Sequence, residues 1–463
     1  MRAGYHSFLG LRPSEHCRHS VLSRAFKWAT MSAVSVKQFD IYTKFMNISW
    51  FYKQLWQVAP FFIRHYLRKR GVKAPAYLEH WGERFGEPLA QAVQQPVWVH
   101  AVSVGETRAA QPLIRELCKH FPDAPLLVTQ MTPTGRATAE MLYPNAQCRY
   151  LPYDKPEYVA QFLREHRPRF GILMETEIWP NLMHGCAEAG VPLFLANARL
   201  SEKSQNGYLK IRTLVEPAMQ TLRGCYAQTA ADAERLHLIG ASNVHVCGNT
   251  KYDITPTDAM REKAAHFRSL IGSRPVAVCA STREYKGADE AEMLLSAWRA
   301  YHGDALLIIV PRHPERFQTA YDCAVKMGFK TQKRSDGHEV AADTQVWIGD
   351  SMGEMLAYYL ASDVAFVGGS LVDTGCQNII EPVACGIPTL FGPSTYNFAA
   401  ACKGAVAVGA AKQIFSAQEW QYTTAKWLSE PALRAPFVEA AAAFVAQNRG
   451  ASRRIVERMI EAV

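Results

Sequence analysis

The chain has 463 residues, 48% of them apolar, with 51 Lys and Arg against 42 Asp and Glu. That length holds two or three domains at about 150 residues each, and the composition excludes intrinsic disorder, a collagen-like repeat and a small disulfide scaffold. Residues 1–100 carry 14 basic and 5 acidic side chains, a difference of nine that equals the formal excess of the whole chain and leaves residues 101–463 balanced.

Residues 1–44 mix His, Arg and Ser with short apolar runs and lack the sustained apolar core of a secretory signal. Phe45–Ile63 is a 19-residue window whose one formal charge is Lys53, followed by Arg64, Arg68, Lys69, Arg70 and Lys73. Residues 45–73 are therefore expected to form an anchor helix, either amphipathic at the membrane interface or transmembrane. Lys53, Gln54 and Gln57 are costly at a bilayer centre and favour the interface, and the basic flank suits the anionic cytoplasmic leaflet.

From Pro96 onward short β-branched runs alternate with turns and helical patterns, as in VWVHAVSVGE, PLLVTQMTPTG, RFGILMETEIWPNLM, VPLFLANARL and NVHVCGNTKYD. The pattern restarts near Arg274 with PVAVCASTRE, ALLIIVPRHPERF, TQVWIGDSMGEMLAYY, DVAFVGGSL and IPTLFGP. This grammar predicts an α/β chain with two doubly wound domains, 74–253 and 274–463, facing a cleft. Residues 254–273 read as a helical linker, and the Ala-rich 401–463 stretch as terminal helices. Eleven cysteines without a CxxC pair favour neither a disulfide framework nor a metal site, and point to a reducing cytoplasm.

Carboxyl-end loops of parallel strands are where such folds place ligand groups. Glu106, beside Gly105 and Ser103 at a strand-to-helix junction, is a candidate general base, or a first-turn carboxylate complementing helix N–H groups. Glu175 and Glu177 share one side if METE is extended. Thr132, Thr134, Gly135, Asn197, Arg199 and Ser201 add polar groups to the same rim. In the second set Ser281, Thr282 and Arg283 can converge on phosphate, with Arg312 and His313 after the next strand. Met352, Gly353, Glu354, Gly375, Asn378 and Glu381 complete a candidate nucleotide pocket in which Glu381 can accept ribose hydroxyls. There is no GxxxxGK[ST] and no convincing GxGxxG, so ATPase and dehydrogenase readings fall. A lone base facing a phosphate and ribose pocket suits transfer from an activated nucleotide donor.

The ordered series KAPAYLEHWGERFG, HAVSVGE, METEIWPN, NARLSEKS, GNTKYD, VPRHPERF, GDSMGEM and GGSLVDTGCQNIIEPVACGIPTLFGPSTYNF resembles the 3-deoxy-D-manno-octulosonic acid (Kdo) transferases of lipopolysaccharide biosynthesis. The resemblance runs from about Phe51 to the carboxyl end. It implies a GT-B fold of two Rossmann-like domains, the first binding acceptor and the second CMP-sugar. It also implies an inner-membrane enzyme on the cytoplasmic face that moves Kdo from CMP-Kdo to a lipid A precursor by inverting displacement, with no cofactor, metal or nucleic acid. On matching positions Glu106 becomes the base and Glu175 a supporting carboxylate, with Glu177 the adjacent alternative. Ser281, Arg283, Arg312, Met352, Gly353, Glu354, Asn378 and Glu381 surround CMP, Arg312 on phosphate and Glu381 on ribose. Two stretches depart from the family pattern. Gly375-Cys376-Gln377-Asn378 has Gln377 in place of a histidine, and STREYKGADE is longer than the usual form. The alternatives are a transferase using a UDP-sugar and a noncatalytic membrane-associated nucleotide-binding scaffold.

Overall fold

A computed structural model describes residues 48–72 and 74–463. The expected extension 1–44, residues 45–47 of the candidate anchor and Lys73 lie outside the described residues. The chain divides into two units, 1–59 and 60–463. Residues 48–59 of the first are helical, within the helix Ile48–Gly71. Among the described residues no helix is long and apolar enough to cross a membrane. Lys53, Gln54 and Gln57 interrupt the apolar run. In the larger unit part of the basic flank is already used: Arg64 lies over Phe85 at 4.3 Å, Arg68 over Trp81 at 5.6 Å and Arg70 over Tyr77 at 4.2 Å.

Two parallel sheets dominate the larger unit. The first contains β1 (Val97–His100), β2 (Leu126–Gln130), β3 (Gln147–Tyr150), β4 (Phe170–Met174), β5 (Leu193–Ala198), β6 (Gly224–Ala227) and β7 (Val244–Val246), in the order β3-β2-β1-β4-β5-β6-β7. The order reverses between β1 and β4, and this switch point opens a crevice at their carboxyl ends. Helices cover both faces, which is why β1 and β4 are buried at every residue. Alternation sends Trp98 to one face, against Phe162 and Leu182, and Val97 and Val99 to the other, against Leu113 and Ile114.

The second sheet is built the same way. After β8 (Val276–Thr282) comes a two-stranded antiparallel hairpin, β9 (Glu284–Tyr285) and β10 (Ala288–Asp289). Its turn, Lys286-Gly287, has φ of 50° and 86°, the left-handed pair that tight hairpins need. The longer STREYKGADE stretch is thus a small hairpin. Then follow β11 (Leu306–Pro311), β12 (Thr331–Lys333), β13 (Val346–Ile348), β14 (Val364–Val367), β15 (Thr389–Phe391) and β16 (Ala411–Gln413), ordered β12-β13-β11-β8-β14-β15-β16. Here the switch point lies between β8 and β14.

Two helices join the halves in ways the local pattern does not specify. The helix Asp258–Ile271, inside the expected linker, buries Ala264, Phe267 and Ile271 in the second core beside Val276, Val278 and Trp347. The last helix, Ala451–Ile460, returns to the first sheet, where Ile455, Val456 and Met459 pack with Val97 and Val99. Asp253 holds its start, accepting from Gly450 N at 2.6 Å and Ser452 N at 2.7 Å.

Candidate active site

Glu106 sits in the first turn of the helix Val104–Ala109, directly after β1. Its Oε2 accepts the Val102 N–H at 2.7 Å and its Oε1 the Ser103 hydroxyl at 3.2 Å. The carboxylate is therefore aimed by its own loop, with the Ser103 hydroxyl donating to it. Gly105 beside it is exposed, and an added Cβ there would find its nearest neighbour, Ser103 Oγ, only at 3.9 Å, so access to this edge of Glu106 is open. Thr132 ties the next loop to the same place. It caps the helix Pro133–Leu142 by accepting Gly135 N at 3.1 Å and donates to Val102 O at 3.3 Å, leaving Thr134 exposed.

Glu175 follows β4 across the switch point with φ 60°. For a side chain with a Cβ that conformation is strained, and strain of this kind concentrates where geometry serves function. The turn breaks the extended alternation, so Glu175 and Glu177 do not form the pair expected from METE. Glu175 Oε1 meets Lys251 Nζ at 2.7 Å and its Oε2 lies 3.3 Å from Arg199 Nε, whereas Glu177 accepts from the Trp179 indole at 2.7 Å. Lys251, in GNTKYD, was missing from the expected site. Buried Asn197 places it by accepting Thr250 N at 3.0 Å, while the Thr250 hydroxyl donates to Ala109 O at 2.9 Å at the end of the Glu106 helix. Asn197 is thus a brace for Lys251. Arg199 also reaches the second domain, donating to Asn397 O at 2.9 Å. Ser201 caps the helix Glu202–Leu209 through Ser204 N at 3.1 Å, a local role beside the substrate contact expected of it.

On the second sheet a buried carboxylate organises the pocket. Glu290 accepts four backbone N–H groups: Arg283 at 3.1 Å, Gly369 at 2.6 Å, Ser370 at 3.1 Å and Leu371 at 2.9 Å. It stitches the loop after β8, with Ser281 at φ 58° and buried Thr282, to the glycine loop after β14. Burial pushes its carboxyl up to about 7, against the pull of those four donors. No local signal marks Glu290, because three of its partners lie 79 to 81 residues away.

Glu381 stands at the start of the helix Ile380–Ala384. Burial holds its carboxyl above the usual carboxylate range, opposed by Arg108, Asn378, Arg312 and Lys251. Arg108 and Lys251 belong to the first sheet's loops and Arg312 to the second's, and the Arg199 bond to Asn397 O at 2.9 Å joins the same two rims. Asn378 also accepts Ile380 N at 3.2 Å. Gly375, at φ 75°, admits Asn397 so closely that a Cβ would stand 2.4 Å from its Nδ2. Arg312 and His313 are half-buried and Met352 is exposed. Arg316, next on that loop, clasps the hairpin through Glu284 at 2.8 Å and through Asp289.

Glu354, expected beside the nucleotide, is engaged by protein groups. Its carboxylate is bound to Lys263 at 2.6 Å, Arg334 at 3.1 Å and the Ser351 hydroxyl at 2.5 Å. Burial would raise its pKa, but these partners outweigh it and hold the carboxyl below its ordinary range. On the same loop Gly353, at φ 84°, approaches the first domain, where an added Cβ would lie 3.4 Å from Arg108 Nη2.

Residues 79–254 match the family model described as 3-deoxy-D-manno-octulosonic-acid transferase (Kdo transferase). A 3-deoxy-D-manno-octulosonic acid transferase of Bordetella pertussis is 41% identical over 397 residues, 83% of this chain and 91% of that protein. The chain belongs to the Kdo transferase family. A Haemophilus influenzae transferase of the same name is 33% identical over 88% of this chain and 97% of its own length. Among solved structures, UDP-GlcNAc 2-epimerase from Neisseria meningitidis bound to UDP-GlcNAc superposes with a TM-score of 0.55 over 80% of this chain and all of that one, at 14% identity. That likeness concerns the fold: two parallel α/β domains of GT-B type.

Another segment of the Kdo transferase resemblance supports the site from behind. In HWGERFG, Glu83 accepts Arg136 Nη1 at 2.6 Å and Tyr150 N at 2.8 Å, while Arg84 donates to Met131 O at 3.0 Å and lies 3.4 Å over the Tyr150 ring. This segment braces the loop behind Thr132.

Proposed function

We propose that the chain transfers Kdo from CMP-Kdo to a lipid A precursor resembling lipid IVA, with inversion at the anomeric carbon. The observation that carries this reading is Glu175 holding Lys251 at 2.7 Å and Arg199 at 3.3 Å on the rim that also carries Glu106. In the reaction Glu106 takes the proton of an acceptor hydroxyl. The oxygen then forms a bond to the anomeric carbon as the bond to the CMP phosphate breaks. CMP departs with the electron pair, and the cationic rim stabilises the growing charge. Lys251, held by Glu175, belongs to that stabilising set, while Asn378 and Glu381 take the ribose. The family membership supports the sugar, and the preorganised cations support an anionic leaving group.

Incubating the full chain with CMP-Kdo and a lipid IVA-like acceptor is expected to yield a Kdo-modified lipid. Activity with a UDP-sugar and none with CMP-Kdo would refute the donor. We further propose that the enzyme works at the cytoplasmic face of the inner membrane. Trp50, Phe51, Val58, Phe61, Phe62 and Tyr66 of the helix Ile48–Gly71 are exposed, a pattern suited to an interfacial helix. Flotation with anionic vesicles, reduced by F61E/F62E, tests that placement.

A further inference from the structure

We infer that Arg108, carried by the acceptor-side domain, is a donor-binding residue that contacts the phosphate of the nucleoside monophosphate across the cleft. The inference rests on the donor reading above and adds a residue to it. Arg108 is two positions after Glu106 on the helix Val104–Ala109, which turns it about 200° around the helix axis from the base. Glu106 therefore folds back on its own loop while Arg108 points elsewhere. Two independent observations say where. A Cβ added at Gly353, a residue held at φ 84°, would lie 3.4 Å from Arg108 Nη2. Arg108 is also the first of the charges that pull down the Glu381 carboxyl, ahead of Arg312 and Lys251. Its guanidinium thus reaches from the first domain to the loops after β13 and β14.

Several cations of the two rims are engaged by carboxylates. Lys251 is paired with Glu175, Arg199 with Glu175 and Asn397, Lys263 and Arg334 with Glu354, and Arg316 with Glu284 and Asp289. Among the described residues no hydrogen bond or ion pair engages the Arg108 guanidinium, although the residue is half-buried. A guanidinium in the last turn also complements the helix dipole, but that role does not require it to reach Gly353. A half-buried, uncommitted fork of N–H donors beside a ribose carboxylate fits an anion with planar pairs of oxygens. The phosphate is joined directly to the ribose that Glu381 would hold, which makes it the donor anion nearest that carboxyl, with the sugar carboxylate one group further on.

The test compares CMP with cytidine, which lacks the phosphate, by calorimetric titration of the full-length protein and of Arg108→Met and Arg108→Lys. Wild type is expected to prefer CMP. In R108M the CMP affinity falls about tenfold or more, as loss of a charge-assisted contact does, while cytidine affinity is unchanged; R108K restores part of the preference. An unchanged CMP preference in folded R108M, or a parallel loss for both ligands, overturns the inference. If R108M does not fold, R108K decides: a preference for CMP equal to wild type overturns it, and a reduced one upholds it. Wild type that binds UMP but not CMP removes the donor reading itself, and this inference with it, whereas CMP binding that is indifferent to Arg108 removes only the inference.

Discussion

The two sheets share a topology but use carboxylates in opposite ways. On the first, Glu106 and Glu175 stand at the crevice with their oxygens on a hydroxyl, a loop N–H and two cations, so side chains present the chemistry. On the second, Glu290 is buried and spends itself on four backbone N–H groups, so a side chain shapes the main chain and the glycine loops face the ligand. Under the proposed function, one half serves proton and charge transfer and the other recognition. The proposed ligands account for the difference: a hydroxyl to be activated needs a base, while a nucleotide needs close backbone approach.

The strongest way to break this contrast is Glu106→Gln. Turnover should fall about 10²- to 10⁴-fold with CMP affinity retained; near wild-type turnover by a folded variant would remove the base from the first sheet. Glu290→Ala should act differently, leaving four N–H groups without their acceptor and destabilising the chain by about 3–5 kcal/mol. Denaturant titration reads that loss, and donor affinity should fall with it; a midpoint equal to wild type contradicts the stitching role. Glu175→Gln strips the charge facing Lys251 and Arg199, and about a 10- to 100-fold drop in kcat with little change in donor KM is expected, because ordering of the stabilising charges is lost rather than ground-state binding.

A pH effect sharpens the first half alone. His100, at the end of β1, is fully buried, and burial takes its pKa from 6.5 down to about 3. Its Nδ1 sits 2.9 Å from the Thr129 hydroxyl. Because the unfolded imidazole binds its proton more tightly, stability is fully present above pH 6.5 and is lost as pH falls toward 3, at up to about 1.4 kcal/mol per pH unit. His100→Gln should flatten that slope in chemical denaturation between pH 6.5 and 4; an unchanged slope assigns it to other groups. Ser201→Ala is the smallest test: about 1 kcal/mol or less of stability from the lost cap and unaltered kinetics, where a raised acceptor KM would restore its expected role.

The legibility of the site followed the range of its interactions. Glu106 was readable because a carboxylate after a strand and a glycine is a local pattern. Glu177 misled because the alternation of METE ends at Met174, and the left-handed turn at Glu175 leaves no trace in residue type. Lys251 is 76 positions from the carboxylate it pairs with, and Glu354 meets Lys263 across 91. Ser201 and Thr132 show that a hydroxyl before a helix is more often its cap than a ligand group.

Sequence alone determined the restart of the α/β pattern near Arg274, the loops that carry polar groups, and the family, because period-2 apolar runs and ordered short motifs are properties of the chain itself. Only the tertiary structure decided the strand orders, the switch points that bring the loops after β1 and β4 together, and the return of the last helix to the first sheet. It also decided which charges are spent on each other. These depend on which distant segments pair, and hydrophobic periodicity specifies that a face is buried without specifying against what.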